Sequence, residues 1–297
     1  MTNGYEALRN GVAWLDLSAR GRFRVRGRDR ARYLHNVTSN EVKKMTPGMG
    51  CYAFVLTPQG RIQADLHLFC FAEHFLVDTE PELRGKLPAL ILKYKVADQV
   101  EIEDITEETA AFGIEGPAAP ARRDAFANRP DFTVVDATLT GQPGFRVICA
   151  TEKSAQLISI AESAGARAAG AEDARAVRIE NGKPRYGEDI RETSLPQETQ
   201  QLDAVSFTKG CYVGQEIVER IRAQGHVNKL LVRLEVESAE PPAPGSRLAA
   251  DGNEAGEITS SIRSPQSGCV AALAIVRAAY AKSGTRLQAG ALSARVV

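Results

Sequence analysis

The most constraining feature of this sequence is an octapeptide that begins at Lys209 and reads Lys-Gly-Cys-Tyr-Val-Gly-Gln-Glu. In the stretch that follows, Ile217 and Ile221 stand four residues apart among charged side chains, which predicts an amphipathic helix beginning near Gly214. Cys211 is then expected beside a helix N-terminus, where free backbone N–H groups and the helix dipole favour a thiolate. Lys209 adds positive charge, so Cys211 is the candidate reactive thiol. Taken alone, a cysteine in such a turn is more often a packed small side chain than a nucleophile.

The octapeptide resembles the K-G-C-[YF]-x-G-Q-E signature of the YgfZ family, without a gap. Members of that family are folate-binding proteins that support iron–sulfur enzymes and share the aminomethyltransferase (glycine-cleavage T-protein) fold. The resemblance implies an α+β fold with T-protein-like folate-binding domains around a central pocket, followed by a small C-terminal β-barrel. It also implies tetrahydrofolate or a derivative as ligand. Cys211 is then the functional centre, and the candidate folate contacts in the octapeptide are Lys209, Tyr212 and Gln215.

Two further segments extend this resemblance. Residues 60–66, Gly-Arg-Ile-Gln-Ala-Asp-Leu, are similar to the segment that carries the catalytic aspartate of T-proteins, which falls on Asp65. Residues 178–189 resemble the pattern R-x-E-x-G-x-x-x-x-G-x-D, in which the glutamate, here Glu180, binds the pterin ring and Arg178 is a further candidate contact. A carboxylate suits a pterin, whose adjacent N–H and NH₂ donors it can accept together. Outside the motif, Glu180 is a carboxylate at the exposed end of a helix.

Asp65 also belongs to a predicted hairpin. Residues 52–71 form two apolar-rich stretches around a turn at Pro58-Gln59-Gly60, and the second stretch alternates regularly. Ile62, Ala64, Leu66 and Leu68 fall on one face, and Gln63, Asp65 and His67 fall on the other. By alternation alone, Asp65 is expected to be solvated on the polar face of a strand.

An arginine occupies every second position from Arg20 to Arg32, which is seven arginines in thirteen residues. Such a run is typical of a stripe that binds phosphate or RNA. However, Phe23 and Val25 alternate with the arginines, and Gly27 interrupts them, which predicts a strand with a solvated edge followed by a helix with a solvated face. Members of the run are also candidates to hold the anionic tail of a folate.

The five cysteines lie 19 to 79 residues apart and form no C-x-x-C pair. The sequence therefore predicts no metal site, neither a zinc ribbon nor a self-contained iron–sulfur site. Scattered cysteines without a signal-peptide pattern indicate reduced thiols in a cytoplasmic protein. The 37 basic and 37 acidic side chains cancel, which argues against general attraction to nucleic acid or membranes.

Changes in composition and hydrophobic pattern along the chain predict three domains. Residues 1–100 together with 172–230 are expected to form the folate-binding core. Residues 101–171 have a βα-like, alanine-rich pattern that predicts an α+β insert. Residues 231–297 consist of short apolar stretches separated by turn residues, which predicts the barrel.

Three functions remain open at this stage. The first is a folate-binding accessory protein that supports assembly or repair of iron–sulfur clusters through Cys211, with iron–sulfur proteins or their assembly factors as partners. The second is a tetrahydrofolate-dependent aminomethyltransferase that uses Asp65; whether the chain is an enzyme stays undecided. The third is an RNA-binding module, with tRNA contact through the arginine run. The octapeptide favours the first, because aminomethyl transfer needs no thiol there.

Overall fold

The structure, a computed structural model, describes residues 2–225 and 227–297. In this part of the chain, two five-stranded sheets and one closed six-stranded barrel account for the strands. Seven α-helices accompany them over the described ranges. The mixed content and the terminal barrel confirm the predicted fold class. Among the described residues, no helix is both long and apolar enough to cross a membrane.

The first sheet has the strand order β3-β4-β5-β2-β6. Its strands are β2 (Gly21–Arg26), β3 (Gly50–Leu56), β4 (Ile62–Cys70), β5 (Phe75–Thr79) and β6 (Glu101–Asp104). Helices α2 (Arg30–Val37) and α3 (Leu87–Leu92) place buried side chains against the face that carries Ile62, Ala64, Leu66 and Leu68. The predicted hairpin and the predicted strand–helix unit are thereby confirmed.

The second sheet has the order β10-β1-β7-β9-β8. Its strands are β1 (Ala13–Asp16), β7 (Thr109–Glu115), β8 (Thr133–Val135), β9 (Gly144–Ala150) and β10 (Arg167–Ala168). The helices in this part of the chain are α1 (Asn3–Asn10), α4 (Asp124–Ala127), α5 (Ser154–Ser163) and α6 (Ala171–Glu180). The predicted insert at 101–171 needs correction, because β1 pairs with β7 and β10 in this sheet while β6 pairs with β2 in the first.

The barrel closes in the order β11-β14-β13-β12-β15-β16, and β16 pairs back with β11. Its strands are β11 (Lys229–Glu237), β12 (Arg247–Ala250), β13 (Asn253–Arg263), β14 (Val270–Arg277), β15 (Arg286–Ala289) and β16 (Leu292–Val296). Small and branched apolar side chains fill its interior, as an alternating pattern dictates for a closed sheet. The predicted C-terminal barrel is confirmed, beginning two residues earlier than expected.

The two sheets share a core, and this decides what happens to the polar face of β4. Phe69 and Leu76 from the first sheet pack in one cluster with three residues of the second sheet, namely Leu15, Ala111 and Ile148. Side chains on that face of β4 therefore point into the interior of the molecule rather than into solvent.

Candidate functional site

A network of buried charges lies between the two sheets. Arg20 precedes β2 and is 6% exposed, and its Nε donates to Oδ1 of Asp78 on β5 at 2.7 Å. Nη1 of Arg146, on β9 of the second sheet, lies 2.5 Å from the same oxygen. Although burial opposes ionisation, Arg146 and Arg20 lower the pKa of Asp78 to about 2. The carboxylate of Asp78 thus joins the two sheets while it is charged.

The seven arginines of the run differ in burial, since Arg20 and Arg22 are buried and the later ones are not. Strand β2 pairs with β5 on one side and β6 on the other, so the expectation of a sheet edge is wrong. Arg22 is fully buried and donates to carbonyl oxygens of Leu17, Arg20, Ser18, Thr106 and Thr109. The later arginines are more exposed, and several of them form ion pairs with Asp29, Asp98 and Glu103. These pairs remove much of the free positive charge that a nucleic-acid stripe requires.

Asp65 lies in the middle of β4, close to this network, and is 7% exposed. Tyr52 on β3 donates a hydrogen bond of 2.7 Å to Asp65 Oδ2, and Oδ1 has no hydrogen-bond partner among the described residues. Burial, assisted by the neighbouring Glu80 carboxylate, raises the pKa of Asp65 to about 7. The expectation of a solvated Asp65 is therefore wrong, because the second sheet and its loops cover this face of β4. A carboxyl group with this pKa can hold and release a proton near neutral pH.

Asp65 forms one wall of a small pocket, called the deep pocket below, with a volume of about 30 Å³. His67, two residues along β4, also lines it and stacks against Tyr52, with ring centroids 4.9 Å apart. Burial lowers the pKa of His67 well below its ordinary value, so its imidazole is neutral. The other charged residues on its walls are Arg20, Glu80, Arg146, Arg178, Lys183 and Arg185.

A larger cavity of about 440 Å³, the outer cavity, adjoins the deep pocket and shares Arg20, Glu80, Leu139, Arg178 and Arg185 with it. Apolar side chains cover much of its remaining wall: Leu15, Leu17, Ala19, Pro81, Ala169, Ala171 and Ala174. Glu80 stands between the two spaces and is clamped by ion pairs to Arg20 and to Arg185, the latter at 3.0 Å. Its wall also carries further charged side chains, namely Asp16, Glu172, Arg175 and Glu188. Apolar walls with oriented polar groups are the usual make-up of a small-molecule site.

Comparison with known proteins agrees with this architecture. The model of the GCVT N-terminal domain matches residues 1–133, and that of the glycine cleavage T-protein C-terminal barrel domain matches residues 229–297. The crystal structure of the glycine cleavage system aminomethyltransferase T from Bartonella henselae superimposes with a TM-score of 0.88 at 19% identity, over 99% of this chain and 87% of that one. The chain has the T-protein fold.

Related sequences are consistent with the T-protein fold. An aminomethyltransferase of a Nostoc species is 26% identical over 97% of this chain and 83% of its own length. An aminomethyltransferase of Geobacillus kaustophilus is 28% identical over 96% and 84%. A chloroplastic protein of Arabidopsis thaliana is 29% identical over 86% of this chain, which spans 63% of that protein.

Arg178 lines both the deep pocket and the outer cavity, and two carboxylates hold its guanidinium group in place. Its Nη1 donates to Asp189 Oδ2 at 2.8 Å, and a second ion pair joins it to Glu188. The other oxygen of Asp189 accepts from the hydroxyls of Thr259 and Ser260 on β13. The motif at 178–189 therefore fastens the cavity wall to the barrel.

Glu180 is not brought to the cavity that contains Asp65. Its carboxylate accepts from the phenol of Tyr5 at 2.8 and 2.9 Å, and it is bound by Arg9 and by the hydroxyl of Ser264. These contacts join α1, α6 and the end of β13. The carboxylate of Glu180, which is expected to bind a pterin, is therefore already occupied by hydrogen bonds and an ion pair within the chain.

The octapeptide lies elsewhere, against the end of α2. Lys209 is buried, and its three ammonium donors are matched by the carbonyl oxygens of His35, Thr38 and Asn40. Burial lowers the pKa of Lys209 to about 8. Tyr212 is also buried, with the Lys209 ammonium 4.8 Å from its ring centroid. Neither side chain lines the two cavities beside Asp65, and their folate contacts stay a prediction.

Helix α7 (Gln215–Gln224) begins where the sequence predicts, after Gly214 at φ +84°. Gly214 packs against the turn between β3 and β4, where an added Cβ would lie 2.5 Å from the carbonyl oxygen of Thr57. This glycine therefore allows a close approach between two segments of the chain. Cys211 is exposed, four residues before the helix, and Gln215 is its first residue, away from the deep pocket.

Several site residues were missed by sequence reasoning, namely Tyr52, Glu80, Arg146, Lys183 and Arg185. Arg146 left one signal, because it interrupts the apolar stretch of β9. Across residues 2–225 and 227–297, no group of three or more His, Cys, Asp or Glu side chains is placed to hold a metal ion.

Proposed function

We propose that this protein binds a reduced folate in the outer cavity and uses Asp65 to move a proton while a one-carbon unit is transferred between the folate and an amine. The observation that carries the proposal is Asp65 itself. Its carboxyl is buried, is oriented by Tyr52, and keeps Oδ1 free at the wall of a pocket that adjoins a cavity of about 440 Å³. The names of the Nostoc and Geobacillus relatives support the same reaction class.

The outer cavity suits a folate in size and chemistry. Sites for ligands of this size have volumes of roughly 300–1,000 Å³. Leu17 and Leu139 offer apolar surface to an aromatic ring system. Arg175 and Arg185 can donate to anionic groups of the ligand, although each also pairs with a carboxylate of the chain. When bound, tetrahydrofolate would supply the nitrogen that carries the one-carbon unit.

The residues around Asp65 set its protonation state. In the protonated form, the free Oδ1 can donate a hydrogen to a substrate nitrogen, and the resulting carboxylate is held by the phenol of Tyr52. Neutral His67 adds no competing charge to the pocket. The ion pairs of Glu80 with Arg20 and Arg185 keep its negative charge close enough to favour the protonated form of Asp65.

Calorimetric titration with tetrahydrofolate tests the binding step. The wild-type protein should bind with a dissociation constant on the order of 1 μM. Leu139→Trp fills the boundary between the two spaces and should abolish the heat signal. Leu202→Trp changes an exposed leucine outside both spaces and should leave it intact. A wild-type protein that shows neither heat nor a thermal shift with tetrahydrofolate would rule out the proposal.

The transfer step has its own test. Asp65→Asn keeps the size of the side chain and the contact with Tyr52, so folate affinity should change by less than about fivefold while transfer falls by about 10²–10⁴-fold. Methylene-tetrahydrofolate formation with glycine-cleavage partner proteins provides the assay. Equal transfer rates for the variant and the wild type would remove Asp65 from the mechanism.

A second candidate is the role in iron–sulfur cluster assembly or repair that the YgfZ resemblance implies. One observation favours it: Lys209, Tyr212 and Gly214 are all used in packing, whereas Cys211 in the same octapeptide is exposed. Cys211→Ser should then abolish support of iron–sulfur enzymes in cells, and Cys269→Ser, at the other exposed cysteine, should not. Full complementation by Cys211→Ser would refute this candidate and leave the folate proposal standing.

A further inference from the structure

The deep pocket contains an arginine whose hydrogen-bonding capacity is incompletely used. Arg146 is 1% exposed and lies between Phe145 and Val147 on β9. Its Nη1 faces Asp78 at 2.5 Å, and its Nε finds no acceptor among the residues that the structure describes. Asp78 is also the partner of Arg20, so one carboxylate serves two guanidinium groups.

A second cation on the same wall has no carboxylate of its own. The described residues offer Lys183 no carboxylate oxygen within 4.0 Å. Its ammonium lies 3.4 Å from the amide oxygen of Gln201 and 5.5 Å from the ring centroid of Tyr52. Both Lys183 and Arg146 line the deep pocket.

The charge balance of the pocket therefore favours an anion. A buried cation without a full set of partners is costly, and an added negative charge at hydrogen-bond distance removes much of that cost. The acidic side chains nearby already form ion pairs: Oδ1 of Asp78 with two arginines, and Glu80 with Arg20 and Arg185. Oδ2 of Asp78 has no hydrogen-bond partner among the described residues, but its charge is shared by the same two arginines. Burial and Glu80 raise the pKa of Asp65 to about 7, so near neutral pH much of it is a neutral donor that an anion can accept from.

The size of the pocket restricts the anion. A volume of about 30 Å³ has room for roughly two water-sized groups, since one water needs about 10–15 Å³. Two oxygens on one carbon meet that limit, and a planar carboxylate matches the donor geometry of a guanidinium.

We infer that the deep pocket binds a small carboxylate, held by Arg146 and Lys183 beside Asp65. The carboxylate is either a free one-carbon acid such as formate, or the carboxylate end of an amino acid whose remaining atoms extend toward the outer cavity. This inference goes beyond the proposed function, because it requires no folate.

Titrations of folate-free protein with formate, acetate and glycine, at matched ionic strength against chloride, test the inference. Formamide, acetamide and glycinamide are controls of matched size that lack the carboxylate. At least one carboxylate should bind saturably with a dissociation constant on the order of 1 mM, and its amide should not. Binding of formate identifies a free one-carbon acid, and binding of glycine alone identifies an amino acid. If no carboxylate binds more tightly than chloride, or if the amides bind equally well, the inference is overturned.

Variants locate the site. Lys183→Met should weaken carboxylate binding about tenfold or more, because a charged donor is lost, and it leaves every ion pair of the network in place. Arg146→Lys, which keeps a cation opposite Asp78, should weaken it similarly. Arg247→Met changes an exposed arginine on the barrel and should have no effect. Unchanged binding in both pocket variants would overturn the assignment, and tetrahydrofolate titration of the same samples reports separately on the proposed function.

Discussion

The phenol of Tyr52 lies 2.7 Å from Oδ2 of Asp65 and orients the carboxyl so that Oδ1 remains free. The two residues are diagonal neighbours on β3 and β4, two residues away from direct pairing, since Phe54 is the partner of Asp65 and His67 is the partner of Tyr52. A pair arranged in this way fixes the orientation of the carboxyl group but leaves one of its two oxygens without a hydrogen bond. This is the arrangement that a proton-transferring side chain needs, and it costs stability when the carboxyl is charged.

That cost predicts how stability depends on pH. The pKa of Asp65 is raised to about 7 in the folded protein from 3.8, so the folded state holds a proton that the unfolded chain releases. The stabilisation from Asp65 is complete below about pH 4 and is lost as the pH rises to about 7. Asp65→Asn should therefore be more stable than wild type above pH 7, by up to about 4 kcal/mol.

Urea denaturation of both proteins at a series of pH values measures this difference. The gap between the two free energies of unfolding should grow from pH 4 to pH 7 and then become constant. Parallel curves across this range would show that Asp65 titrates normally in the folded protein.

Glu180 gives a second prediction, because its carboxylate joins Tyr5, Arg9 and Ser264. Glu180→Gln leaves the partly buried Arg9 without its charged partner and should lower the free energy of unfolding by about 2–4 kcal/mol. Folate affinity should change less than about threefold. Glu162→Gln, at an exposed position of α5, is the matched control. A tenfold loss of affinity at unchanged stability would instead restore the direct pterin contact that the motif implies.

These two carboxylates show what sequence patterns can and cannot predict here. Alternation correctly separates the two faces of β4, and Gly214 correctly marks the start of α7. Alternation carries no information about what covers the second face of a strand, so it predicts a solvated Asp65 although the folded protein buries this residue. The partners of Glu180 are equally invisible, since Tyr5 lies 175 positions away in the sequence.

In the arginine run, too, the sequence pattern predicts the secondary structure but not the burial of each side chain. Its spacing predicts a strand and a helix, and both are present at Gly21–Arg26 and Arg30–Val37. The run is uniform in sequence, yet Arg22 is enclosed by backbone carbonyls while Arg26 is exposed. Burial of a charge depends on long-range partners such as Asp78, which local periodicity does not contain.

Gly214 provides a third prediction, with a control in the same helix. Gly214 and Gly225 flank α7 at φ +84° and +74°. Alanine at Gly225 meets nothing within 4 Å and should cost only the backbone strain, about 1–2 kcal/mol. Alanine at Gly214 also places a methyl group 2.5 Å from the Thr57 oxygen and should cost at least about 1 kcal/mol more. Thermal and urea unfolding of both variants give the comparison, and equal losses would mean that the turn adapts freely.

The last prediction concerns the order in which the five cysteines react. Cys70 and Cys149 are buried, and burial raises the pKa of both thiols. Cys51 is half-buried, and burial raises its pKa to about 12. Cys211 and Cys269 are exposed, so they should be alkylated first in the folded protein.

Between the two exposed thiols, Cys211 should react faster, because it precedes the N-terminus of α7, while Cys269 lies at a turn before β14. Iodoacetamide labelling followed by mass spectrometry gives one rate per site, and labelling in urea supplies the unfolded reference. Cys211→Ser should leave the urea midpoint unchanged, since an exposed thiol contributes little to packing. If Cys211 is labelled no faster than Cys269, the helix start does not activate it, and its role depends on exposure and on its neighbours in the octapeptide alone.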